Sequence, residues 1–139
     1  MWRMSDQHEV DAWLREFEAA CRARDFAVGR RMFAADALAF GTYATAVRGL
    51  ENIEREQWRK IWTRIREFRF EERPVIQTVG EFAWIAAEWS SEATGPAGHP
   101  FRRPGRATFV LARRDGRWLC VHSHVSLLPS QSESVHGRP

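Results

Sequence analysis

The feature that most constrains this chain is an Asp115-Gly116 pair between two runs of residues that favour β-strands. An Asp-Gly pair in this setting is a strong hairpin signal, because a type I′ turn needs positive φ at both central residues. The predicted two-residue turn places Arg114 opposite Arg117 and thereby fixes which side chains share a face. Both faces of the hairpin are largely apolar, so we expect other parts of the protein to pack on each side of the sheet.

The same register sorts the side chains of the hairpin into two sets. The first set consists of Ala107, Phe109, Leu111, Trp118, Cys120, His122 and His124. The second set consists of Thr108, Val110, Ala112, Leu119, Val121, Ser123 and Val125. Because side chains alternate along a strand, one β-bulge would exchange the two sets on a strand and move both histidines to the opposite face.

Upstream of the hairpin, apolar residues recur at helical spacing and predict three helices. A capping-box-like start at Asp6 opens the first helix. Asp25 caps a short second helix that ends near Phe33, and the third helix runs from about residue 50 to residue 65. The apolar stripe of this third helix consists of Leu50, Ile53, Trp58, Ile61, Trp62 and Ile65.

The apolar period changes from helical to alternating near Phe68, which predicts a series of strands. A short strand is followed by four longer ones, and their predicted ranges are 36–40, 68–79, 81–94, 106–114 and 117–126. Helices followed by a run of antiparallel strands indicate an α+β fold. We expect three N-terminal helices packed on a strongly curved antiparallel sheet that encloses a conical cavity.

The composition indicates one aromatic-rich domain. The chain has 139 residues, 44% of them hydrophobic, with 7 Trp and 9 Phe, which is enough apolar volume for one sizeable core. We expect a single domain over residues 1–130. The last residues, 131–139, are polar and are expected to form a flexible tail.

The charge pattern and the cysteines argue against several classes of function. The formal net charge is +3, and the basic residues are spread among 18 acidic ones rather than clustered, so we expect no nucleic-acid partner. Cys21 and Cys120 lack metal-ligand spacing and are expected to be free thiols. The sequence has no apolar signal region and no run of membrane-spanning length, so we predict a cytoplasmic protein with no membrane partner.

Five short motifs are distributed along the chain. They are Asp25-Phe26, Phe33-Ala34-Ala35-Asp36-Ala37, Gly49-Leu50-Glu51-Asn52-Ile53, Arg114-Asp115-Gly116-Arg117-Trp118 and Val121-His122-Ser123-His124. Together they resemble the nuclear transport factor 2-like superfamily, in its SnoaL-like branch. The resemblance covers nearly the whole chain and implies a cavity between the helices and the concave face of the sheet.

The second half of the chain, residues 74–130, contains a further group of short motifs. They are Val79-Gly80, Ala83, Ile85-Ala86 and the terminal Trp118 with Val121-His122-Ser123-His124. These motifs resemble the oligomerising association domain of calcium/calmodulin-dependent kinases, which implies self-assembly. Those domains carry arginines on their cavity strands, but Ser90 and Phe109 stand at the matching positions here, so their anion binding does not carry over.

The resemblance and the hairpin register together predict the lining of the cavity. The second set of hairpin side chains supplies Thr108, Val110, Val121, Ser123 and Val125. If Ala93 pairs with Ala107, the neighbouring strand adds Trp84, Glu88, Ser90 and Glu92. Arg106 is then close enough to Glu92 for a salt bridge. The helical side of the cavity is expected to be closed by Phe17, Tyr43, Trp58 and Trp62.

Glu88 is the candidate catalytic residue. A carboxylate between Ala87 and Trp89 on an apolar face would lose solvation, which raises its pKa and suits it to proton transfer. The alternative interpretation is a structural acid paired with a nearby arginine.

The steroid isomerases of the resembled superfamily use an Asp base and an oxyanion hole made of Tyr and a protonated Asp. The matching positions in this chain are Gly41, Phe17 and Val110. All three groups are therefore replaced, which argues against that particular mechanism.

Four further residues each have two interpretations. His122 and His124 form an H-x-H pair that suits a metal or a dimer interface; no third ligand is evident and the register puts both on the outer face, so no metal is predicted. Tyr43 either orients a ligand or caps a backbone carbonyl. Asp36 either stabilises a turn or takes part in catalysis.

These patterns predict two functions. The first is a small-molecule pocket protein for an apolar oxygenated metabolite, as a binder or as a cofactor-independent isomerase, dehydratase or cyclase that uses acid–base chemistry. The second is a non-catalytic association module. It would form a homodimer through an outer sheet face too apolar to leave in water, made of Trp89, Phe109, Leu111, Trp118 and Cys120.

Overall fold

The computed structural model of the chain describes residues 5–129. Helix α1 is Asp6–Ala23, α2 is Phe26–Met32, and α3 joins four short segments, Leu50–Ile53, Glu54–Trp58 (a π-helical turn), Arg59–Ile61 and Trp62–Arg64 (a 3₁₀ turn). The strands are β1 Phe33–Phe40, β2 Val47–Arg48, β3 Arg66–Phe70, β4 Val75–Val79, β5 Phe82–Thr94, β6 Pro100–Arg114 and β7 Arg117–Leu127. The predicted tail at residues 131–139 lies outside the described residues.

The strands form one curved sheet in the order β2-β1-β7-β6-β5-β3, with β4 also paired to β5. The three helices pack on one face of this sheet, so the predicted α+β fold is confirmed. The β1–β7 pair is parallel, which makes the sheet mixed rather than wholly antiparallel. A parallel pair needs a long connection, and here α3 and the strands β2 to β6 supply it.

The stretch predicted as one strand at residues 68–79 is two strands that share a neighbour. β3 pairs with β5 at residues 89–92, whereas β4 pairs with β5 at residues 82–86. Pro74 lies between them, lacks an N–H for a sheet hydrogen bond and restricts the residue before it. The chain therefore leaves β5 after Phe70 and returns to it at Val75.

Helix α2 begins at its predicted cap, Asp25, whereas α1 is capped by Ser5, one residue before the predicted Asp6. The Ser5 hydroxyl accepts a hydrogen bond from the His8 N–H at 3.2 Å, and the Asp25 carboxylate accepts one from the Val28 N–H at 3.1 Å. Arg113 of β6 links the first turn of α1 to the sheet. Its guanidinium forms an ion pair with Asp6 and lies 4.4 Å from the centroid of the Trp118 ring. No helix among the described residues is both long and apolar enough to cross a membrane.

The hairpin between β6 and β7 has the predicted turn and an additional bulge. Asp115 and Gly116 both have positive φ, 51° and 76°, as a type I′ turn requires. Further along, Leu111 pairs with Cys120 but Val110 pairs with His122, so one residue of β7, Val121, is left without a partner. Because of this bulge, the residues of β7 beyond Val121 face the side of the sheet opposite to the one that simple alternation predicts.

The two faces of the sheet differ sharply in burial. We call the face under the helices the inner face; its buried residues include Ile85, Ala87, Trp89, Ser91, Ala107, Phe109, Leu111, Trp118, Cys120 and Ser123. We call the opposite face the outer face; it carries Trp84, Glu88, Glu92, Arg102, Arg106, Thr108, Val110, His122 and His124. The inner face and the apolar stripes of the helices together form the core.

Candidate functional site

A cavity lies between the inner face of the sheet and helices α1 and α3. Its volume is about 50 Å³, counted as the space open to the centre of a water molecule. One buried water needs about 10–15 Å³ on this scale, so the cavity suits a slim ligand rather than a fused-ring molecule. The lining residues are Phe17, Cys21, Thr42, Tyr43, Gln57, Trp58, Ile61, Trp62, Ile65, Phe68, Phe70, Trp89, Arg103, Ala107, Phe109, Ser123 and Val125.

Aromatic rings form much of the cavity wall. Trp58 and Trp62 are one helical turn apart on α3 and stack with their ring centroids 4.8 Å apart. Phe17 of α1 meets Trp62 edge-on at 5.7 Å and Phe109 of β6 edge-on at 5.5 Å. Flat apolar walls of this kind favour a ligand with a planar apolar body.

Gln57 is a buried polar residue within this wall. It lies in the π-helical turn of α3 and is only 7% exposed. Its Oε1 atom is buried and has no hydrogen-bond partner among the described residues. Leaving such an acceptor unpaired costs about 1–3 kcal/mol, so this oxygen is suited to accept a hydrogen bond from a ligand.

Gly41 provides the space that this amide occupies. A Cβ atom at position 41 would lie 1.8 Å from Nε2 of Gln57, far inside van der Waals contact. Any larger residue would therefore displace the amide from the cavity wall.

Thr42, Tyr43 and Arg103 form the open end of the cavity, where Tyr43 is 63% exposed. Nη2 of Arg103 donates to Oγ1 of Thr42 at 3.4 Å, and the guanidinium lies 5.9 Å from the centroid of the Trp89 ring. Burial lowers the pKa of Arg103, and the nearby Tyr43 offsets part of that effect. An arginine nevertheless stays protonated in proteins, so the open end carries a positive charge.

Cys21 and Ser123 add two smaller polar groups. Burial, with a lesser contribution from Glu18, raises the pKa of the Cys21 thiol, so the thiol stays protonated and is a poor nucleophile. Ser123 is 3% exposed. Within residues 5–129, no carboxylate, imidazole or lysine lines the cavity. The cavity therefore offers isolated hydrogen-bonding groups and a cation in an apolar hollow.

Comparison with known proteins places this architecture in a family. Residues 10–130 match the family model of the SnoaL-like domain. The chain belongs to the SnoaL-like family. This finding confirms the resemblance drawn from the short motifs of the sequence. No curated protein matches the chain.

Solved structures share the fold of this SnoaL-like chain at low sequence identity. A nuclear transport factor 2 (NTF2-like) superfamily protein from Salmonella enterica is 18% identical, with a TM-score of 0.80 over 95% of this chain and 96% of that chain. A ketosteroid isomerase-like protein from Erwinia carotovora is 16% identical, with a TM-score of 0.80 over 92% and 100%. The association domain of C. elegans CaMKII is 18% identical, with a TM-score of 0.67 over 84% and 92%.

The SnoaL-like cavity contains the residues predicted on its helical side and two from β7. These are Phe17, Tyr43, Trp58, Trp62, Ser123 and Val125. The stripes of α1 and α3 bring Phe17, Trp58 and Trp62 to the cavity, because apolar stripes on helices must face the sheet. Tyr43 reaches it from the segment between β1 and β2. Ser123 and Val125 reach the cavity for a different reason, the bulge at Val121.

The other predicted site residues do not line the cavity. They are Trp84, Glu88, Ser90, Glu92, Arg106, Thr108, Val110 and Val121. The alternation of β5 and β6 was predicted correctly, but the wrong set was turned towards the helices. The inner positions hold Trp89, Ala107 and Phe109, whose side chains the helices bury. Both sets are apolar enough to be core, so alternation alone does not identify the buried face.

Glu88 lies on the outer face and is exposed. Its partner across the sheet is Arg106, because Ala107 pairs with Ala87 rather than with Ala93. The predicted contact of Arg106 with Glu92 is therefore replaced. Glu88 has neither the burial nor the access to the cavity that the predicted catalytic role required.

The apolar surface predicted to hold a homodimer is part of the core. Trp89, Phe109, Leu111, Trp118 and Cys120 are between 0% and 8% exposed, because the helices cover them. The outer face does expose apolar residues, but they are different ones. They are Val75, Val79, Phe82 and Trp84.

His122 and His124 lie on the outer face, opposite to Phe109 and Cys120, with which the predicted register had grouped them. The bulge at Val121, which was not predicted, separates them from that group. Both rings meet Phe40 edge-on, at 5.0 and 5.2 Å, and Nδ1 of His122 is 2.8 Å from the Leu38 carbonyl oxygen. In residues 5–129, no group of three or more His, Cys, Asp or Glu side chains could hold a metal ion. Asp36 also lies at the surface, 3.4 Å from Arg114.

The sequence did not predict several lining residues, of which Gln57 and Arg103 have the side chains best suited to bind a polar group of a ligand. Gln57 had a usable signal: it is a polar residue between Ile53 and Ile61 at a stripe position of α3. Arg103 shares the inward alternation of Ala107 and Phe109, but it lay in a segment predicted as a loop. Thr42 and Cys21 carried no signal that separated them from ordinary surface and core residues.

Proposed function

We propose that this SnoaL-like protein binds a small apolar molecule bearing oxygen atoms inside the aromatic cavity. The observation that carries the proposal is a cavity with aromatic walls and a few separate polar groups, Gln57, Arg103 and Ser123 among them. In sites of this kind, apolar burial supplies most of the affinity, and the scattered polar groups fix the ligand's orientation.

Proton-transfer chemistry receives less support than binding. Glu88 lies outside the cavity, and the lining within the described chain holds no other carboxylate and no imidazole. The Cys21 thiol stays protonated. A similar fold is found in a ketosteroid isomerase-like protein, but its likeness at 16% identity concerns the fold alone. We therefore propose binding, rather than isomerisation, dehydration or cyclisation, as the role of the cavity.

A matched pair of substitutions tests this proposal. Ala107→Leu fills the cavity, whereas Thr108→Leu adds a leucine to the adjacent outer face. Binding of single-ring probes such as benzyl alcohol and phenylacetate is measured by tryptophan fluorescence and ligand-observed NMR. We expect Ala107→Leu to weaken binding by roughly tenfold or more and Thr108→Leu to leave it unchanged. Equal binding by the two folded variants would contradict the proposal.

Self-association through the outer face is a second candidate function. Val79, Phe82 and Trp84 are 71%, 57% and 41% exposed and are neighbours, because Val79 pairs with Phe82 at the β4–β5 edge. A contiguous exposed apolar patch is typical of an interaction site. The fold shared with the C. elegans association domain is compatible with this role.

Light scattering at micromolar concentration tests this second candidate. We expect a dimer or larger assembly for the unmodified protein and a monomer for Trp84→Glu. Phe101→Glu is the control, because Phe101 is 49% exposed but has the inward alternation of β6. A monomeric unmodified protein would remove this function.

A further inference from the structure

Arg103 is a cation in the cavity wall that has no carboxylate partner among the described residues. Other arginines, such as Arg30, Arg59 and Arg113, form ion pairs with Asp or Glu. Arg103 instead makes one long hydrogen bond to the Thr42 hydroxyl, at 3.4 Å, and its guanidinium lies 5.9 Å from the centroid of the Trp89 ring. Most of its hydrogen-bonding capacity is therefore unused by the protein.

This arrangement has an energetic consequence. Arg103 is half-buried, and burial disfavours its charged form enough to lower its pKa. A guanidinium has five N–H donors in a planar fork, which matches the two oxygens of a carboxylate. Partly desolvated charges in proteins are normally offset by an opposite charge. The missing opposite charge at this position points to the ligand.

Gln57 provides an independent observation in the same cavity. The residue is 7% exposed and its Oε1 atom is buried and unpaired within the described chain. Gln57 packs against Gly41, whereas Arg103 contacts the next residue, Thr42. The acceptor and the cation therefore lie next to adjacent residues of one short backbone segment, in a cavity with aromatic walls.

We infer that the ligand of this cavity is a small apolar carboxylic acid whose carboxylate binds Arg103 at the open end. Its planar body lies against Trp58 and Trp62, and a hydroxyl or N–H group on that body donates to Oε1 of Gln57. The inference rests on the proposed binding function and specifies its ligand class. The anion site is not that of the association domains, whose cavity arginines correspond to Ser90 and Phe109 in this chain.

The size of the cavity further restricts the class of ligand. A volume of about 50 Å³ for water centres excludes large fused-ring acids unless the walls move. A single ring with a short acidic side chain fits this description, with the acid directed towards the partly exposed Arg103. We therefore choose phenylacetate and 4-hydroxyphenylacetate as probes.

The experiment compares each acid with its neutral amide, which has nearly the same shape. Dissociation constants are measured for phenylacetate against phenylacetamide, benzoate against benzamide, and 4-hydroxyphenylacetate against 4-hydroxyphenylacetamide. The proteins are the unmodified chain, Arg103→Gln and Arg102→Gln. Arg102 is the matched control, because it is the next residue of β6, lies on the outer face and pairs with Glu92.

We expect the unmodified protein and Arg102→Gln to bind the acids roughly tenfold to a hundredfold more tightly than the amides. Arg103→Gln should bind both members of a pair equally. If acids and amides bind the unmodified protein equally, the carboxylate inference is overturned and the proposed binding function stands. If no member of any pair binds, both are overturned. Equal acid preference in Arg103→Gln and Arg102→Gln would place the anion site elsewhere.

A second variant tests the role of Gln57. Gln57→Met keeps the length of the side chain but removes the acceptor oxygen. We expect the unmodified protein to favour 4-hydroxyphenylacetate over phenylacetate by several-fold, and Gln57→Met to lose that preference while keeping its preference for acids over amides. An unchanged preference for the phenol would remove Gln57 from the ligand site.

Discussion

The two faces of the central sheet are made by the same strands but differ in burial and in charge. Along β5 and β6, alternate residues such as Trp89 and Phe109 are buried by the helices, while their neighbours Glu88 and Val110 face away. The inner face obtains its stability from apolar packing around a small cavity. The outer face carries opposite charges at paired positions, such as Glu88 and Arg106.

This difference shows that residue type alone is a weak guide to the buried face. Trp84 and Val110 on the outer face are as apolar as many inner residues. What separates the faces is the position of the helices, which the sheet sequence does not encode. A titratable group is therefore informative about function here only after the face that bears it is known.

The largest difference in stability between the two faces is expected when Phe109 is compared with its neighbour Val110. The ring is 0% exposed and contacts Trp13, Phe17 and Phe70. Phe109→Ala should lower the free energy of unfolding by about 3–5 kcal/mol, because it removes a buried ring from contact with its neighbours and leaves a cavity in the core. Val110→Ala, one residue away on the outer face, should cost about 1 kcal/mol or less. Urea denaturation of both variants measures the difference; equal losses would show that the faces are not distinct in energy.

An intermediate effect on the free energy of unfolding is expected at Glu54, a carboxylate of helix α3. Its oxygens lie 2.8 Å from Arg30 and 2.5 Å from Arg59. The hydrogen bond from Arg30, supported by Arg59, lowers the pKa of Glu54 against the opposing effect of burial. Since the folded pKa is below the unfolded value of about 4.3, the stabilisation is present above that pH and is lost as pH falls through the folded pKa.

Glu54→Gln should therefore lower the free energy of unfolding by about 1 kcal/mol at pH 7, a value reduced by the exposure of both arginines. The decline in stability of the unmodified protein below about pH 4 should become shallower in this variant. Chemical denaturation across a pH series provides the measurement. A parallel curve for the variant and the unmodified protein would contradict the assigned pairing.

The smallest effect is expected at Glu88, the carboxylate on the outer face. Glu88→Gln should change the free energy of unfolding by less than about 0.5 kcal/mol and leave the binding of single-ring probes unchanged. Denaturation and probe titration test both statements. A large loss of binding would return Glu88 to the ligand site and would conflict with the position of its side chain in the structure.

Local signals in the sequence were sufficient for most of the fold. The Asp115-Gly116 turn, the cap at Asp25 and the stripe of α3 each depend on neighbouring residues, so each could be predicted. The parallel β1–β7 pair and the division of residues 68–79 into two strands depend on distant contacts. Local sequence pattern carries no information about contacts of that kind.

The candidate site was predicted only where helices form it. Trp58 and Trp62 follow from helical spacing, whereas the sheet side required both the buried face and the register of β7. The assumed face was wrong and the bulge at Val121 was not predicted. For Ser123 and Val125 these two differences cancel, which is why both residues line the cavity although Thr108 and Val110 of β6, predicted on the same face, do not.

The unpaired residue of β7 has a consequence for how such a protein changes over evolutionary time. If Val121 instead paired with Val110 and the strand had no bulge, the alternation beyond Cys120 would reverse, and His122 and His124 would point into the cavity in place of Ser123 and Val125. A hollow with no proton-transfer group on its sheet side would then acquire two imidazoles. A change of one residue in strand register would thus add two groups able to transfer protons to a cavity whose described lining has no imidazole or carboxylate.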